Sequence, residues 1–493
     1  MDYLIFDLPA EAAAARRELA GLAEAGSWVR FGRRAFVFGS GAGWRGLDAV
    51  SRAPAGGEVR KGNLHLVVQK GRRFQQENPE VRVLLDQGRF LVVDLPPGRA
   101  RALAGRREPC FHIEPLGANR TVFRDLPREA PGSRAAPEVA AVVAAVSQAD
   151  FLATLTRLTA IRSRLSTGPG YAEAAEWMRA QLTALGLATR LEPIEVNGAP
   201  SHNVIAHRPG TAAARRHLLV TAHLDSVNHA EGPAAPAPGA DDNASGASGV
   251  LVLARALAGA TLAQDVSFVL FGGEEQGLFG SQQFVAALPQ PERQRIDAVL
   301  NMDMIGAVNT QPPTVMLEGA ALSQAMIDDL AAAAAAFTGL AVQTSLNPFA
   351  SDHVPFIEAG IPAVLTIEGG DSANDAIHSG NDTPDRLDPG FATQILRMNA
   401  GFLALAAGAG AGAAADGTAV PRPCGCCGAP AEAAADGTAD GAAALRQLAG
   451  HYHALFAQYA RLQRDGRIGP ADLARQQQAW RAYDALPGRP GRQ

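Results

Sequence analysis

A chain of 493 residues exceeds the usual size of one domain, so two or three domains are expected. The apolar fraction of 47% suits a globular protein, and a net charge of −5 gives no electrostatic reason to expect nucleic acid or an anionic membrane as partner. Every apolar run is shorter than the roughly 18 residues that a membrane-spanning helix needs. Four cysteines do not suggest a disulfide scaffold.

The first residues do not resemble an export signal. An acid, Asp2, stands where a secretory signal has basic residues, and the apolar stretch at residues 3–6 is too short. We therefore expect a cytoplasmic protein. A start codon assigned downstream of an export signal would change this expectation.

Residues 1–130 predict a small α+β module. The order strand, helix, strand occurs twice, at residues 3–6, 10–25 and 35–38 and again at 89–94, 97–104 and 111–113. In both copies the first strand is followed by Asp-Leu-Pro, which suggests a duplicated β-α-β unit. The module has no cluster of reactive residues, since His65 and His112 are isolated. We therefore expect the rest of the chain to bind metal without it.

Residues 137–410 predict an α/β domain, which follows a Pro-rich linker. Helix-like patterns alternate there with apolar, strand-like runs, the runs lying at 203–206, 218–222, 266–271, 298–302 and 363–367. Such alternation favours a mostly parallel central sheet covered by helices on both faces.

Four of these strand-like runs are followed by His, Asp or Glu. The residues concerned are His223, the adjacent Glu274 and Glu275, Asp303 and, after a polar loop, His378. Because ligands collect beyond the carboxyl ends of strands in open α/β sheets, we expect these side chains to lie together. Imidazole and carboxylate groups suit zinc, and adjacent carboxylates repel unless a cation or a proton lies between them. Each residue alone is commonplace, but four successive strand-like runs that are all followed by such residues indicate a metal site.

Five motifs within residues 137–410 resemble those of the di-zinc aminopeptidases, metallopeptidase family twenty-eight, whose relatives include glutamate carboxypeptidases and glutaminyl cyclases. The motifs are, in order, HLDS from His223, GADDNASG from Gly239, GGEEQGLFGS from Gly272, NMDMIG from Asn301 and AIHSGNDTPD from Ala376. The resemblance implies a zinc exopeptidase fold.

The resemblance also implies a ligand set for two zinc ions. The implied ligands are His223 and Asp303 for one ion, Glu275 and His378 for the other, and Asp242, joined to Asn243 by a cis peptide, as the bridge. Asp241 is the competing bridge, but in the family the bridging residue immediately precedes the Asn-Ala-Ser-Gly stretch. His353 is the competing last ligand.

Glu274 is implied as the general base and Asp225 as the residue that orients His223. The charges agree with this assignment, since two Zn²⁺ ions are balanced by three ligand carboxylates and a bridging hydroxide, which leaves Glu274 to carry protons. We therefore expect a zinc-dependent aminopeptidase, in which a metal-bridging hydroxide activated by Glu274 releases N-terminal residues from peptides with a free N-terminus. The alternatives are a carboxypeptidase or other amidohydrolase on the same fold, and a non-catalytic binding module.

The C-terminal part predicts a linker and a helical tail. Residues 411–441 are rich in Ala and Gly and include Cys424, Cys426 and Cys427, which we interpret as exposed or incidental thiols rather than a soft-metal site. Residues 442–486 predict a helical hairpin. The sequence does not indicate the oligomeric state or the preferred substrate side chain.

Overall fold

Most of the described residues lie in seventeen strands and eleven α-helices. The computed structural model describes residues 1–9, 15, 19–21, 26–40, 55–104, 110–127 and 135–410. The predicted linker at 411–441, its three cysteines and the predicted hairpin at 442–486 lie outside these residues.

Strands and helices are numbered in chain order. The strands are β1 (Asp2–Asp7), β2 (Ser27–Phe31), β3 (Arg34–Gly39), β4 (Ala55–Glu58), β5 (Leu64–Gln69), β6 (Arg82–Gln87), β7 (Phe90–Asp94), β8 (Phe111–Pro115), β9 (Arg120–Asp125), β10 (Ala188–Val196), β11 (Ala199–Arg208), β12 (His217–His223), β13 (Asp265–Phe271), β14 (Ile296–Met302), β15 (Thr314–Glu318), β16 (Ala341–Ser345) and β17 (Ala363–Glu368). The α-helices are α1 (Arg73–Glu77), α2 (Pro97–Ala104), α3 (Pro137–Ala144), α4 (Gln148–Thr159), α5 (Pro169–Ala184), α6 (Gly246–Ala258), α7 (Phe279–Ala287), α8 (Gln290–Arg295), α9 (Gln324–Phe337), α10 (His353–Glu358) and α11 (Pro389–Ala406).

Four adjacent parallel strands, β13, β12, β14 and β17, form the centre of the larger sheet. Antiparallel strands β11 and β10 extend it on one side, and β15 joins β17 antiparallel on the other. This arrangement confirms the predicted α/β fold and locates its parallel part at the centre of the sheet. The carboxyl ends of β12, β13 and β14 consequently lie side by side.

Both faces of the central strands are covered. Leu218 and Val220 of β12 pack into a large apolar cluster with helix residues such as Leu251 of α6. The residue between them, Leu219, packs into a second cluster with Phe271 and Phe284. Side chains of a strand alternate between its faces, so these clusters lie on opposite sides of the sheet, as predicted.

Among the described residues no single helix is long and apolar enough to cross a membrane; only the bent pair of α3 and α4 meets the length and composition criteria.

In the N-terminal part, two groups of three strands share one antiparallel arrangement. In the first, β1 and β2 are both antiparallel to β3, which lies between them; in the second, β7 and β8 flank β5 in the same way. The next described strand after β1 is thus β2. Residues 35–38, predicted as the second strand of the first unit, belong to β3, which forms a hairpin with β2. The pattern of β2 is weak because polar Ser27 and Arg30 interrupt it.

The N-terminal part and the α/β part share one sheet and one apolar cluster. Strand β9 pairs antiparallel with β16, so the larger sheet continues through β9, β2, β3, β1 and β4. Phe90 and Phe123 pack in the same cluster as Met316 and Ile367. A domain boundary near residue 130 stays a prediction, but the parts on either side of it are joined by pairing and packing.

Candidate metal centre

Three predicted ligands meet where β12 and β14 end. His223 is the last residue of β12, and its Nε2 lies 3.1 Å from Asp242 Oδ1 and 3.3 Å from Asp303 Oδ1. Asp303 directly follows β14. All three side chains are almost completely buried.

A second group of ligands shares the other oxygen of Asp242. His378 Nε2 lies 3.0 Å from Asp242 Oδ2 and 3.0 Å from Glu275 Oε2. His378 has a left-handed backbone, with a φ of 57°, and its carbonyl oxygen accepts the backbone N–H of His229 at 2.9 Å. A non-glycine residue in this region is uncommon and often belongs to a functional site. From these distances, Asp242 presents Oδ1 to His223 and Oδ2 to His378.

The loop before α6 fixes the position of Asp242. The backbone N–H of Asp242 donates to Asp382 Oδ2 at 3.0 Å, and its peptide bond to Asn243 is cis, as the resemblance implied. The Asn243 side chain donates to the Met302 carbonyl oxygen at 2.9 Å, which ties the loop to the end of β14. Gly239 begins the loop with a φ of 50°, and a Cβ atom there would lie 2.5 Å from the Asp242 carbonyl oxygen. Glycine is therefore required at this position.

The two competing assignments are not supported by the geometry. Asp241 accepts the backbone N–H of Gly306 at 2.9 Å and the Asn374 amide at 2.8 Å, so both of its oxygens are engaged. His353 Nε2 lies 3.5 Å from Glu318 Oε1, and His353 is absent from the groups of closely spaced ligand atoms in the described part of the chain.

Charge and burial in this centre favour a bound cation. Burial raises the pKa of Glu275 to about 7, and the nearby Asp242 carboxylate adds to this effect. Burial acts in the same direction on Asp242, yet the imidazole rings of His223 and His378 hold its pKa well below the usual range. Desolvated carboxylates so close together are stabilised when a cation lies between them.

Buried polar atoms that lack a hydrogen bond provide a test of whether zinc fits. Within the described residues, both oxygens of Asp242, Oε1 of Glu275, Oδ2 of Asp303 and Nε2 of His378 lack a hydrogen-bond partner although they are buried. Such atoms are costly unless they are satisfied. Imidazole nitrogens and carboxylate oxygens are ordinary zinc ligands, so these residues fit zinc.

Asp225 and Glu274 lie beside the ligands. The Asp225 carboxylate accepts the backbone N–H groups of Glu274 and Glu275, at 3.4 and 3.2 Å, and lies 3.5 Å from His223 Nδ1. Glu274 Oε2 is 4.0 Å from His223 Nε2, so Glu274 points toward the first group of ligands. Asp225 thus links the end of β12 to the two glutamates after β13.

Two residues of the N-terminal part reach the centre, and neither was predicted from the sequence. Lys70 Nζ lies 2.9 Å from Glu274 Oε1, and Cys110 Sγ lies 3.6 Å from His378 Nδ1. Burial alone would lower the pKa of Lys70, but Glu274 and the neighbouring carboxylates raise it well above its usual value. Lys70 directly follows the buried strand β5, and a polar residue in this position is the signal that identified the metal ligands. Cys110 does not follow such a strand.

A cavity of about 180 Å³ opens onto these residues. It is lined by Lys70, Cys110, Glu274, Glu275, Gly277, Leu278, Ala350 and His378. Two larger cavities, of about 430 and 460 Å³, are lined by other residues and contain none of the ligands. The small cavity is therefore the candidate substrate pocket.

The sequence of this region matches a known family. Residues 203–403, which include all the predicted ligands, match the model described as Peptidase family M28. A probable leucine aminopeptidase of Arthroderma benhamiae is 30% identical over 279 residues, which cover 54% of this chain and 75% of the relative. The chain belongs to peptidase family M28.

Other relatives of this M28 peptidase agree. Leupeptin-inactivating enzyme 1 of Streptomyces exfoliatus is 31% identical over 254 residues, which span 49% of this chain and only 54% of that relative. The crystal structure of the LapA aminopeptidase of Legionella pneumophila has a TM-score of 0.51 at 20% identity, covers 70% of this chain and 98% of that chain, and shows the shared fold. The predicted family and the predicted enzyme class, a metallopeptidase, are confirmed.

Proposed function

We propose that this M28 peptidase is a zinc-dependent aminopeptidase that binds two zinc ions and removes the first residue of peptides with a free N-terminus. The observation that carries the proposal is the position of Asp242, which presents one oxygen to His223 and the other to His378. Two separate groups of ligands that share one carboxylate suit a pair of cations. The names of the relatives, among them the probable leucine aminopeptidase, support the reaction.

One zinc ion would be held by His223 and Asp303, and the other by Glu275 and His378. Asp242 would bind both ions. Bound zinc would supply a Lewis acid for the scissile carbonyl and would lower the pKa of a bound water to about 7. Glu274 takes a proton from the attacking water and delivers it to the leaving amine, so the C–N bond breaks as a C–O bond forms. Asp225 orients His223 and the glutamate backbone during these steps.

Several buried carboxylates suit an ammonium group of the substrate. Among the residues that line the cavity, Lys70 is the one lysine or arginine, and it is paired with Glu274. It is therefore not free to bind a terminal carboxylate, as a carboxypeptidase would require.

The test compares three forms of one leucyl tripeptide: unmodified, acetylated at the amine and amidated at the carboxyl end. We expect the zinc-loaded enzyme to cleave the unmodified and amidated forms at similar rates and the acetylated form at least a hundredfold more slowly. Equal cleavage of the acetylated form would point to an endopeptidase or carboxypeptidase instead. Glu274→Gln should keep about two zinc ions per chain and lose on the order of a hundredfold in turnover; near-normal turnover would remove Glu274 from the mechanism.

A further inference from the structure

Lys70 is held in place by the N-terminal part of the chain. It follows β5, its backbone N–H donates to the Cys110 carbonyl oxygen at 2.8 Å, and its side chain is only 5% exposed. Gly71, with a φ of 52°, turns the chain immediately afterwards. The ammonium group is therefore presented to the metal centre by a fixed backbone.

The contact with Glu274 leaves one carboxylate oxygen free for chemistry. Lys70 Nζ lies 2.9 Å from Glu274 Oε1, whereas Glu274 Oε2 points toward His223. A charge-assisted hydrogen bond of this length is short and directional. It fixes the rotation of the carboxylate so that Oε2 faces the metal ligands.

Lys70 also changes the charge balance of the centre. Asp242, Glu275 and Asp303 are the ligand carboxylates, and Glu274 adds a fourth negative charge at a buried position. The Lys70 ammonium, which also lies 3.6 Å from Asp303 Oδ2, supplies the countercharge for Glu274.

Contacts between the N-terminal part and the α/β part fix Lys70 in the site. The Ser372 hydroxyl donates to the Gln69 carbonyl oxygen at 3.2 Å, next to Lys70. Arg89, which directly precedes β7, pairs with Glu318 and Asp371, and all three side chains are at most 1% exposed. Withdrawal of Lys70 would therefore require breaking the Ser372 hydrogen bond and a buried ion network.

We propose that Lys70 is a positioning residue for the general base: the N-terminal part supplies the ammonium group that orients Glu274 in an active site otherwise built by the α/β part. The inference rests on the proposed function, since Glu274 must be the base for its orientation to matter. It gives the N-terminal part a direct role in turnover.

The first experiment compares Lys70→Met with Lys61→Met, which removes an exposed lysine of the same part of the chain. We expect Lys70→Met to lower kcat by about ten- to a hundredfold, because a misplaced catalytic group can cost that much, with KM changed much less. Lys61→Met should leave both constants unchanged. Zinc content of Lys70→Met should match the parent, although loss of a buried ion pair should lower its urea midpoint; a higher kcat would show that Lys70 obstructs the site and would overturn the proposal.

A double-mutant cycle separates positioning from a general structural effect. If Lys70 acts through Glu274, adding Lys70→Met to Glu274→Gln should cause almost no further loss of kcat, whereas independent effects would multiply. Lys70→Arg should retain more activity than Lys70→Met because it keeps the charge. Multiplying losses in the cycle, or equal losses in the Arg and Met variants, would overturn the proposal.

The same cycle distinguishes failure of this inference from failure of the proposed function. If Glu274→Gln alone is inactive and Lys70→Met is fully active, Glu274 is retained as the general base and the proposed role of Lys70 is wrong. If Glu274→Gln itself is fully active, the proposed mechanism fails before Lys70 is considered. Should Lys70→Met unfold, Lys70→Gln provides the neutral variant for the same comparison.

Discussion

Arg89 and Glu318 lie 229 residues apart in the chain and form an ion pair of 3.1 Å in which neither side chain is more than 1% exposed. Arg89 also pairs with Asp371 at 3.0 Å and donates to the Phe349 carbonyl oxygen at 3.1 Å. One guanidinium group from the N-terminal part therefore compensates two buried carboxylates of the α/β part.

Replacing Arg89 should destabilise the whole unit. Arg89→Met leaves Glu318 and Asp371 buried without their cation, and breaking a buried pair in this way typically costs about 3–5 kcal/mol. Arg60→Met, at an exposed position, should cost less than about 0.5 kcal/mol. Urea unfolding measures both; a loss below about 1 kcal/mol for Arg89→Met would contradict the buried network.

A chain that begins at Ala135 should fail to form the metal centre. The truncation removes Lys70 and Arg89, leaves the edge of β16 unpaired and exposes the apolar side chains of Met316 and Ile367. We expect low solubility and less than one zinc ion per chain after gel filtration in zinc-containing buffer. A soluble, fully zinc-loaded product would restore the expectation from the sequence that the N-terminal module is dispensable.

Four of the five proposed ligands were predicted because they stand at or shortly after the end of a buried strand-like run, whereas Asp242 was predicted from its family motif alone. Asp242 was distinguished from Asp241 only through the family pattern, and the structure explains the choice, since Asp241 is engaged by Gly306 and Asn374. Lys70 was not predictable, because its place depends on pairings between distant strands that local periodicity does not encode. Its signal, a polar residue after the buried run of β5, was present but had no partner nearby in the sequence.

The N-terminal topology was only partly predictable for a similar reason. The helix α2 and the strands β7 and β8 were found where they were predicted, since their patterns are strong. The strand that lies between β7 and β8 is β5, and nothing in a local window indicates that insertion. Periodicity predicts elements, whereas the order of strands depends on which apolar faces meet after collapse.

Removing Asp225 should weaken zinc binding. Asp225→Ala removes the acceptor of the backbone N–H groups of Glu274 and Glu275 and the carboxylate beside His223 Nδ1. Loss of such partners of metal ligands typically lowers metal affinity or activity by roughly 10- to 100-fold. Competition with a chromophoric chelator measures the zinc affinity. Asp385→Ala, at an exposed acid, is the matched control, and equal affinities in the two variants would exclude the orienting role.

Acid should destabilise the fold partly through His217, remote from the metal centre. Burial, with His207 nearby, lowers the pKa of His217 from 6.5 to about 4. The unfolded chain therefore binds this proton at a higher pH than the folded chain does. The contribution to stability is fully present above pH 6.5 and is lost as pH falls toward 4, on the order of 3 kcal/mol. His217→Gln should lose less stability over that range than the parent does. The exposed His112→Gln should behave like the parent, and parallel pH curves for all three proteins would contradict the prediction.

The pairing of β9 with β16 has a consequence for synthesis. Asp125 accepts a hydrogen bond from Gln343, 218 residues later in the chain. At about 5–20 residues per second, the ribosome needs roughly 10–45 s to make that intervening stretch. During that time β9 has no partner on one side, and an open strand edge can pair with another chain. Closely spaced ribosomes on one messenger RNA would therefore bring the unpaired β9 of one nascent chain near the emerging β16 of another. Slower translation initiation should consequently increase the yield of soluble protein.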